Sequence, residues 1–204
     1  MTHLYDYWRS SAAYRVRMAL NLCDIAYDST SVDLVKGEQR SVEYTARNPQ
    51  GLVPTLEIDG IRLTQSLAIL EYLAETRGGL LPADAAGRAQ VRALAYAIAM
   101  EIAPICNLSV RNHVANMGAM TADDWQRHYI AKGLAAFEAM LTTTGRFCHG
   151  DRISTADLCL VPQVYNAQRV GVNMRSFPRI EKIVANLVEI PAIAAAHPDR
   201  VKPS

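Results

Sequence analysis

A segment near residue 60 predicts a β-hairpin. Residues 55–58 and 61–64 each alternate apolar and polar side chains, as the strands of a half-buried hairpin do. The pair between them, Asp59-Gly60, readily supplies the positive φ angles of a two-residue turn. Two antiparallel strands are therefore expected side by side, and the rest of the N-terminal part has to pack around them.

Strand and helix patterns alternate on both sides of this hairpin. Apolar periodicity predicts the order β-α-β-α-β-β-α, with segments at about 3–8, 11–23, 27–34, 42–47, 55–58, 61–64 and 66–77. Such an order requires a mixed sheet with helices packed on its faces.

The strand patterns stop after residue 81. Periodicity then predicts helices at about 85–114, 121–144, 154–170 and 177–188. Pro104 and Pro162 fall inside two of these helices and are expected to kink them. We therefore predict an α+β chain, with an N-terminal domain at residues 1–81 and an all-α domain at residues 85–204.

The predicted helix at 154–170 begins with a capping box. Ser154 can accept a hydrogen bond from the amide of Asp157, whose carboxylate can accept one from the Ser154 amide in return. This pattern fixes the start of the helix more firmly than periodicity does.

Charge and composition exclude several kinds of partner. The chain has 204 residues, half of them apolar, which is enough for one large domain or two small ones. Its 21 basic and 20 acidic residues are spread along the sequence, so no basic tract predicts binding to nucleic acid or to an anionic membrane. Residues 1–7 do not resemble a signal peptide, and we expect no apolar run of the roughly 20 residues that span a membrane.

The cysteines and histidines predict neither a disulfide nor a metal site. Four cysteines lie far apart among apolar neighbours and form no CxxC pair, which is typical of reduced thiols and of a cytoplasmic protein. The histidines show no metal-ligand spacing such as HExxH. The sequence also contains no GxSxG elbow and no glycine-rich phosphate loop, which argues against a hydrolase and a nucleotide-binding protein.

A run near the N terminus gives the chain its family resemblance. Residues 5–17 read YDYWRSSAAYRVR, which is similar to the zeta-class signature of glutathione transferases, an SSC segment followed by a WRVR-like run. Further matches follow in register at 48–49, 52–56, 65–69, 107–110 and 156–164. The resemblance covers essentially the whole chain. It implies a thioredoxin-like domain (βαβαββα), an all-α C-terminal domain and a homodimer.

The resemblance implies a glutathione-dependent isomerase. Its expected reaction converts a maleyl keto acid, maleylacetoacetate or maleylpyruvate, to the fumaryl form in the breakdown of aromatic amino acids or aromatic acids. Two alternatives stay open: a transferase that conjugates glutathione to small electrophiles such as α-haloacids, and a non-catalytic glutathione-binding module. Two departures from the family pattern bear on activity, namely Ala12 in place of the SSC cysteine and Ala103 in place of Gln or His.

Ser10 is the candidate catalytic residue, with Ser11 as a second contact. Thioredoxin-type oxidoreductases have CxxC where this chain has Ser10-Ser11-Ala12-Ala13, so a reactive thiol has to come from glutathione. A free thiol has a pKa of about 8.5, and a hydroxyl donor near the positive end of a helix favours its anion. Either serine can instead serve only as a helix cap, and Tyr5 or Tyr7 remains an alternative donor, as tyrosine is in other classes.

The resemblance also assigns the remaining contacts to glutathione. Gln65 and Ser66, where a strand passes into a helix N terminus, are assigned to the γ-glutamyl carboxylate. The Val53-Pro54 segment is assigned backbone hydrogen bonds to the cysteinyl part if its peptide bond is cis. Gln39 is placed near the glycyl end, and Asn107 adds a polar contact.

Two arginines are assigned to the substrate carboxylates. A guanidinium donates two parallel hydrogen bonds to a carboxylate, and Arg9 and Arg169 match family positions that hold a dicarboxylate. The alternative is that both are solvated surface arginines. Arg111 and Arg175 are interpreted as surface residues.

Overall fold

The computed structural model describes residues 1–118, 120–142 and 144–203. These residues form two compact units, one made of 1–78 together with 190–204 and the other of 79–189. This division differs from the predicted one at the C terminus, because the last residues belong to the first unit. The sequence patterns predict no helix after residue 188, and they do not indicate the unit against which the last residues pack.

A four-stranded mixed sheet organises the first unit. Its strands are β1 His3–Asp6, β2 Asp28–Ser31, β3 Thr55–Ile58 and β4 Ile61–Thr64. Their order in the sheet is β2-β1-β3-β4, with β2 parallel to β1 and the other neighbouring pairs antiparallel. The predicted mixed sheet and hairpin are therefore confirmed, although β1 and β2 are shorter than their sequence patterns.

The α-helices are α1 Ser11–Leu22, α2 Val42–Thr45, α3 Ser66–Arg77, α4 Ala85–Tyr96, α5 Leu108–Met117, α6 Ala122–Met140, α7 Thr155–Arg169, α8 Pro178–Val188, α9 Pro191–Ala195 and α10 Pro198–Val201. In the first unit, α1 packs against α3 and α9. Its residues Ala13 to Leu20 are all buried, so this helix lies at the centre of the unit.

Helix α1 carries a buried ion pair. Arg17 donates from Nη1 to both carboxylate oxygens of Asp6 on β1, at 2.8 and 2.7 Å. The same side chain donates from Nη2 to the Trp8 carbonyl at 3.0 Å and from Nε to the Ala196 carbonyl at 3.1 Å. Arg17 therefore ties the first strand, the loop after it and the C-terminal segment to one helix.

The prediction of one continuous helix over 85–114 is wrong. Helix α4 ends at Tyr96 and is followed by a π-helical segment, Ala97–Ile102, and a 3-10 turn, Pro104–Cys106, before α5 begins. Proline has no N–H and its ring clashes with the carbonyl four residues earlier, so the α-helical hydrogen bonds cannot continue through Pro104. Periodicity alone does not register this interruption.

The segment Ala85–Cys106 also corrects the expectation about apolar runs. Its 22 residues are long and apolar enough, by length and composition, to cross a membrane, and a third of its most apolar window is buried inside the protein. A core helix of a soluble protein meets the same criteria. A single such helix is therefore weak evidence for a membrane span.

The predicted capping box is present at the start of α7. Asp157 accepts hydrogen bonds from the Ser154 amide and hydroxyl and from the Cys148 amide, each at 2.8 Å. All three residues are buried. The carboxylate therefore joins the helix start to the chain segment before it.

Candidate functional site

The chain segments predicted to bind glutathione meet at one edge of the first unit's sheet. Strands β1 and β4 both run antiparallel to β3, so they are parallel to each other and end at the same edge. Ser10 follows β1 and Gln65-Ser66 follow β4, whereas Val53-Pro54 lie just before β3 begins. Helices α1 and α3 therefore both start at this edge, where their free amides and positive dipole ends favour an anion.

Ser10 is the N-cap residue of α1. Its hydroxyl oxygen accepts a hydrogen bond from the Ala13 amide at 3.3 Å, and its own amide donates to the Tyr7 carbonyl at 2.8 Å. The side chain is half-buried. Because a hydroxyl that accepts at its oxygen can still donate its hydrogen, capping the helix leaves Ser10 able to donate to a sulfur anion.

The two alternative donors have different surroundings. Tyr5 lies on the sheet face that packs against α2, and its hydroxyl accepts from Arg47 Nε at 3.1 Å. The next residue, Asp6, points to the opposite face, towards α1. Tyr7 is buried in an apolar cluster with Val32 and Val53. Ser10 therefore fits the start of α1 better than either phenol does.

The loop that carries Val53 is held by buried hydrogen bonds. The Leu52 carbonyl accepts from the Asn48 amide group and from the Tyr44 hydroxyl, each at 2.7 Å. The Val53–Pro54 peptide bond is cis, as the resemblance implies. The Asn48-Pro49 match thus has a structural role, since the buried Asn48 side chain fixes the loop next to the candidate site.

Gln65 and Ser66 form the second half of this edge. Gln65 has a φ of 67°, an uncommon backbone conformation for a residue other than glycine, and its Nε2 donates to Gln50 Oε1 at 2.8 Å. Ser66 is buried, and its hydroxyl accepts from Arg15 Nη1 at 3.1 Å. Sequence reasoning missed Arg15. A charged residue within an otherwise buried helix was the signal that could have identified it.

Arg9 lies in the loop between β1 and α1. Its guanidinium carbon is 5.4 Å from the centre of the Trp8 ring, and Lys202 Nζ is 5.3 Å from the same ring centre. Arg9 is half-buried and directly precedes Ser10. This stretch therefore brings two cations and a hydroxyl close to the start of α1.

Gln39 is buried in a 3-10 turn, Glu38–Arg40. Its Oε1 has no hydrogen-bond partner among residues 1–118, 120–142 and 144–203. The turn lies in the connection between β2, which is parallel to β1, and α2. A buried acceptor of this kind suits the amide of a bound peptide.

Two of the predicted residues belong to the second unit. Asn107 is exposed at the N-cap position of α5, and its side chain makes no capping hydrogen bond. Arg169 ends α7, with its guanidinium carbon 5.7 Å from the centre of the Tyr165 ring. Arg111, interpreted from sequence as a surface residue, is half-buried and donates from Nη2 to Asp123 Oδ1 at 3.1 Å. Arg175 is exposed, as expected.

Three of the protein's four cysteines are poor nucleophiles. Burial raises the pKa of the Cys106 thiol to about 11 and that of the Cys148 thiol well above its ordinary value. Burial also raises the pKa of the Cys23 thiol, at the C-terminal end of α1. With raised pKa values, these three thiols stay neutral at physiological pH. Since the thiolate is the reactive form, they are weak nucleophiles. Within the described part of the chain, no three His, Cys, Asp or Glu side chains are grouped to hold a metal ion.

Sequence comparison identifies similar domains and proteins. Residues 1–75 match the sequence model of the glutathione S-transferase N-terminal domain, and residues 104–196 match that of the C-terminal domain. The maleylacetoacetate isomerase of Rhizobium meliloti (strain 1021) is 58% identical over 99% of this chain and 98% of its own length.

Solved structures give the same picture. The holo structure of a maleyl pyruvate isomerase, described as a bacterial zeta-class glutathione-S-transferase, has a TM-score of 0.95 and 38% identity over 99% of both chains. The maleylacetoacetate isomerase of Anaeromyxobacter dehalogenans 2CP-1 has a TM-score of 0.90 and 41% identity, over 100% of this chain and 98% of the other. That structure holds dicarboxyethyl glutathione and citrate in its active site.

Proposed function

Because the chain belongs to the glutathione S-transferase family, we propose that it uses glutathione to isomerise a maleyl keto acid, maleylacetoacetate or maleylpyruvate, to the fumaryl form. The observation that carries the proposal is the 58% identity with a maleylacetoacetate isomerase over nearly the full length of both chains. In our proposal the reaction belongs to the breakdown of aromatic amino acids or aromatic acids, as the resemblance implies.

The residues at the sheet edge fit glutathione. The tripeptide has a thiol, two carboxylates and two peptide groups. Ser10 offers a hydroxyl for the sulfur, Val53 a backbone amide and carbonyl, and Ser66 a hydroxyl and a helix-terminal amide for a carboxylate. The buried nitrogens of Arg15 add positive charge beside Ser66. Ser11, Gln39, Pro54, Gln65 and Asn107 remain our further candidate contacts.

When bound, glutathione supplies a sulfur nucleophile that can add to a conjugated double bond and leave it again unchanged. The chain's part is to keep that sulfur ionised. The Ser10 hydroxyl and the first amides of α1 both favour the anion, and a shift of about two pKa units corresponds to about 2.7 kcal/mol of preferential stabilisation. The absence of the family cysteine, with Ala12 in its place, is compatible with this role.

The substrate carboxylates require cations. In our proposal Arg9 and Arg169 bind them, as the resemblance implies, and so orient the double bond for attack. Dicarboxyethyl glutathione, bound to the relative from Anaeromyxobacter dehalogenans, is glutathione joined to a carbon chain with two carboxylates. A bound compound of that kind supports a site adapted to both glutathione and a dicarboxylate.

A side-by-side assay tests the function. Purified protein is incubated with maleylacetoacetate or maleylpyruvate, with and without glutathione, while fumaryl product and remaining glutathione are measured. We expect turnover only with glutathione, and no net consumption of it. Stoichiometric loss of glutathione would instead indicate a conjugating transferase, and turnover in its absence would contradict the proposal.

We further propose that the protein is a cytoplasmic homodimer, as its family resemblance implies. Sedimentation equilibrium should return about twice the chain mass of 22.4 kDa. A mass equal to that of one chain would contradict the dimer, and recovery of the protein in a membrane fraction would contradict the location.

A further inference from the structure

Arg15 is a buried cation that has no carboxylate partner within the described part of the chain. Its side chain belongs to a residue that is only 3% exposed, and only Nη1 makes a hydrogen bond, to Ser66 Oγ at 3.1 Å. Nε and Nη2 have no hydrogen-bond partner among the described residues. Arg17, on the same helix, shows the contrast, since Asp6 and two carbonyls occupy its donors.

The burial of a guanidinium is costly. A guanidinium does not lose its proton in proteins, and burying a charge without a counter-ion costs several kcal/mol. The neighbouring carboxylate of Asp6 is already bound by both of its oxygens to Arg17. Within the described residues, the positive charge of Arg15 therefore has no compensating carboxylate, and it lies next to the Ser66 hydroxyl.

The hydroxyl hydrogen of Ser66 points away from Arg15. The serine oxygen accepts from the guanidinium, so its single hydroxyl hydrogen has to point elsewhere. Ser66 is also the first residue of α3, where the amides have no partner within the helix. The preceding residue, Gln65, makes no capping hydrogen bond with its side chain, whose Nε2 donates to Gln50. Hydroxyl, amide and charge together favour an anion at this position.

Resting on the proposed function, we infer that Arg15 is a positioning residue for glutathione. It supplies the buried counter-charge for the carboxylate of the γ-glutamyl residue and orients the Ser66 hydroxyl towards that carboxylate. Arg15 thereby determines specificity for tripeptides that carry this group, without contacting the thiol or the double bond.

Calorimetric binding of two ligands tests this inference. One is glutathione and the other is the analogue in which 4-aminobutyrate replaces γ-glutamate, which lacks only that carboxylate. We expect Arg15→Met to raise the Kd for glutathione by at least about 30-fold, the cost of removing one member of a buried charge pair. The Kd for the analogue should change by less than about threefold, since no carboxylate is there to lose its partner.

Two further variants separate charge from packing. Arg15→Lys keeps the charge and should preserve most of the preference for glutathione over the analogue, whereas Arg15→Gln should lose it as Arg15→Met does. Arg62→Met removes an exposed arginine of the same sheet, bonded to Glu57, and should leave both Kd values unchanged. The melting temperature without ligand should not fall in Arg15→Met, because an unpaired buried charge does not stabilise the free protein.

The outcomes distinguish this inference from the proposed function. Equal weakening of both ligands, or a lower melting temperature without ligand, would show that Arg15 has only a structural role. An unchanged Kd for glutathione in both neutral variants would overturn the inference while leaving the function intact. Failure of the unmodified protein to bind glutathione would overturn the proposed function itself.

Discussion

The Ser10 hydroxyl can accept one hydrogen bond and donate another. It caps α1, with a rather long bond of 3.3 Å from the Ala13 amide, and it remains able to donate its hydrogen. A residue of this kind raises the question of whether a variant loses activity through the helix or through the chemistry. The two effects differ in size and in what they change.

We predict that Ser10→Ala slows isomerisation about 25-fold at pH 7, because a rise of about two units, from about 6.5 to about 8.5, in the pKa of the bound thiol lowers the thiolate fraction by that factor. The pKa of bound glutathione, measured by thiolate absorbance, should rise towards about 8.5. The Kd for glutathione should stay within about threefold, since its other contacts persist. Unchanged turnover would refute the assigned role of Ser10.

Thr121→Ala is the matched control for this variant. The Thr121 hydroxyl caps α6 in the same manner, accepting from the Asp124 amide at 3.1 Å. Its loss should cost about 1 kcal/mol of stability, as loss of an N-cap does, and leave turnover unchanged. If both variants lost activity equally, helix fraying would be the common cause.

Among the secondary-structure elements, the start of a helix depends on a few neighbouring residues, whereas its continuation depends on more distant ones. The start of α7 depends on Ser154 and Asp157, which are three positions apart, and both bonds of the predicted capping box form. Between α4 and α5 the sequence predicts a kink at Pro104 but not the π-helical segment Ala97–Ile102, because apolar residues continue through it. Gly133 of α6 packs against Ile102 in this segment. Only glycine leaves room there, since a Cβ would come within 2.3 Å of Ile102 Cδ1.

We predict that Asp157→Ala lowers the free energy of unfolding by about 3 kcal/mol, because the buried amides of Ser154 and Cys148 lose their acceptor. Chemical denaturation measures the effect. Asp123→Ala, at an exposed position in the first turn of α6, should cost less than about 1 kcal/mol. Equal losses of stability in the two variants would contradict the role assigned to the Asp157 carboxylate.

The C-terminal segment of the chain packs in the first unit, together with the N-terminal residues. The C-terminal segment, residues 190–204, packs α9 against α1, where the Ala192 carbonyl accepts from Asn21 at 2.9 Å and the Ala196 carbonyl accepts from Arg17. The same Arg17 holds the Trp8 carbonyl in the loop that leads to Ser10. The end of the chain therefore supports the start of the candidate site.

We predict that a chain ending at Glu189 loses at least about 3 kcal/mol of stability, because a buried donor of Arg17 and a half-buried donor of Asn21 lose their acceptors and apolar area is exposed. Its first unit should be cleaved faster by a protease under native conditions. A chain ending at Val201 keeps both carbonyls and serves as the control. Equal resistance of the two chains to cleavage would contradict this role of the C-terminal segment.

The sequence by itself determined the features that depend on neighbouring residues. The hairpin at 55–64, the starts of α1 and α7, the mixed sheet and the family resemblance all follow from short patterns, because turns, caps and periodicity act over a few residues. Ser10 and Ser66 were proposed as glutathione contacts because the resemblance assigns them that role, and each also marks the start of a helix.

Only the tertiary structure decided what lies beside these residues. It brought Arg15 to Ser66 across 51 positions of sequence, occupied the Tyr5 hydroxyl with Arg47 and returned the C-terminal segment to α1. Burial and the pairing of charges depend on contacts between distant segments, and a linear pattern does not contain them. That Arg15 Nε and Nη2 have no hydrogen-bond partner among residues 1–118, 120–142 and 144–203 becomes visible only when those residues have positions.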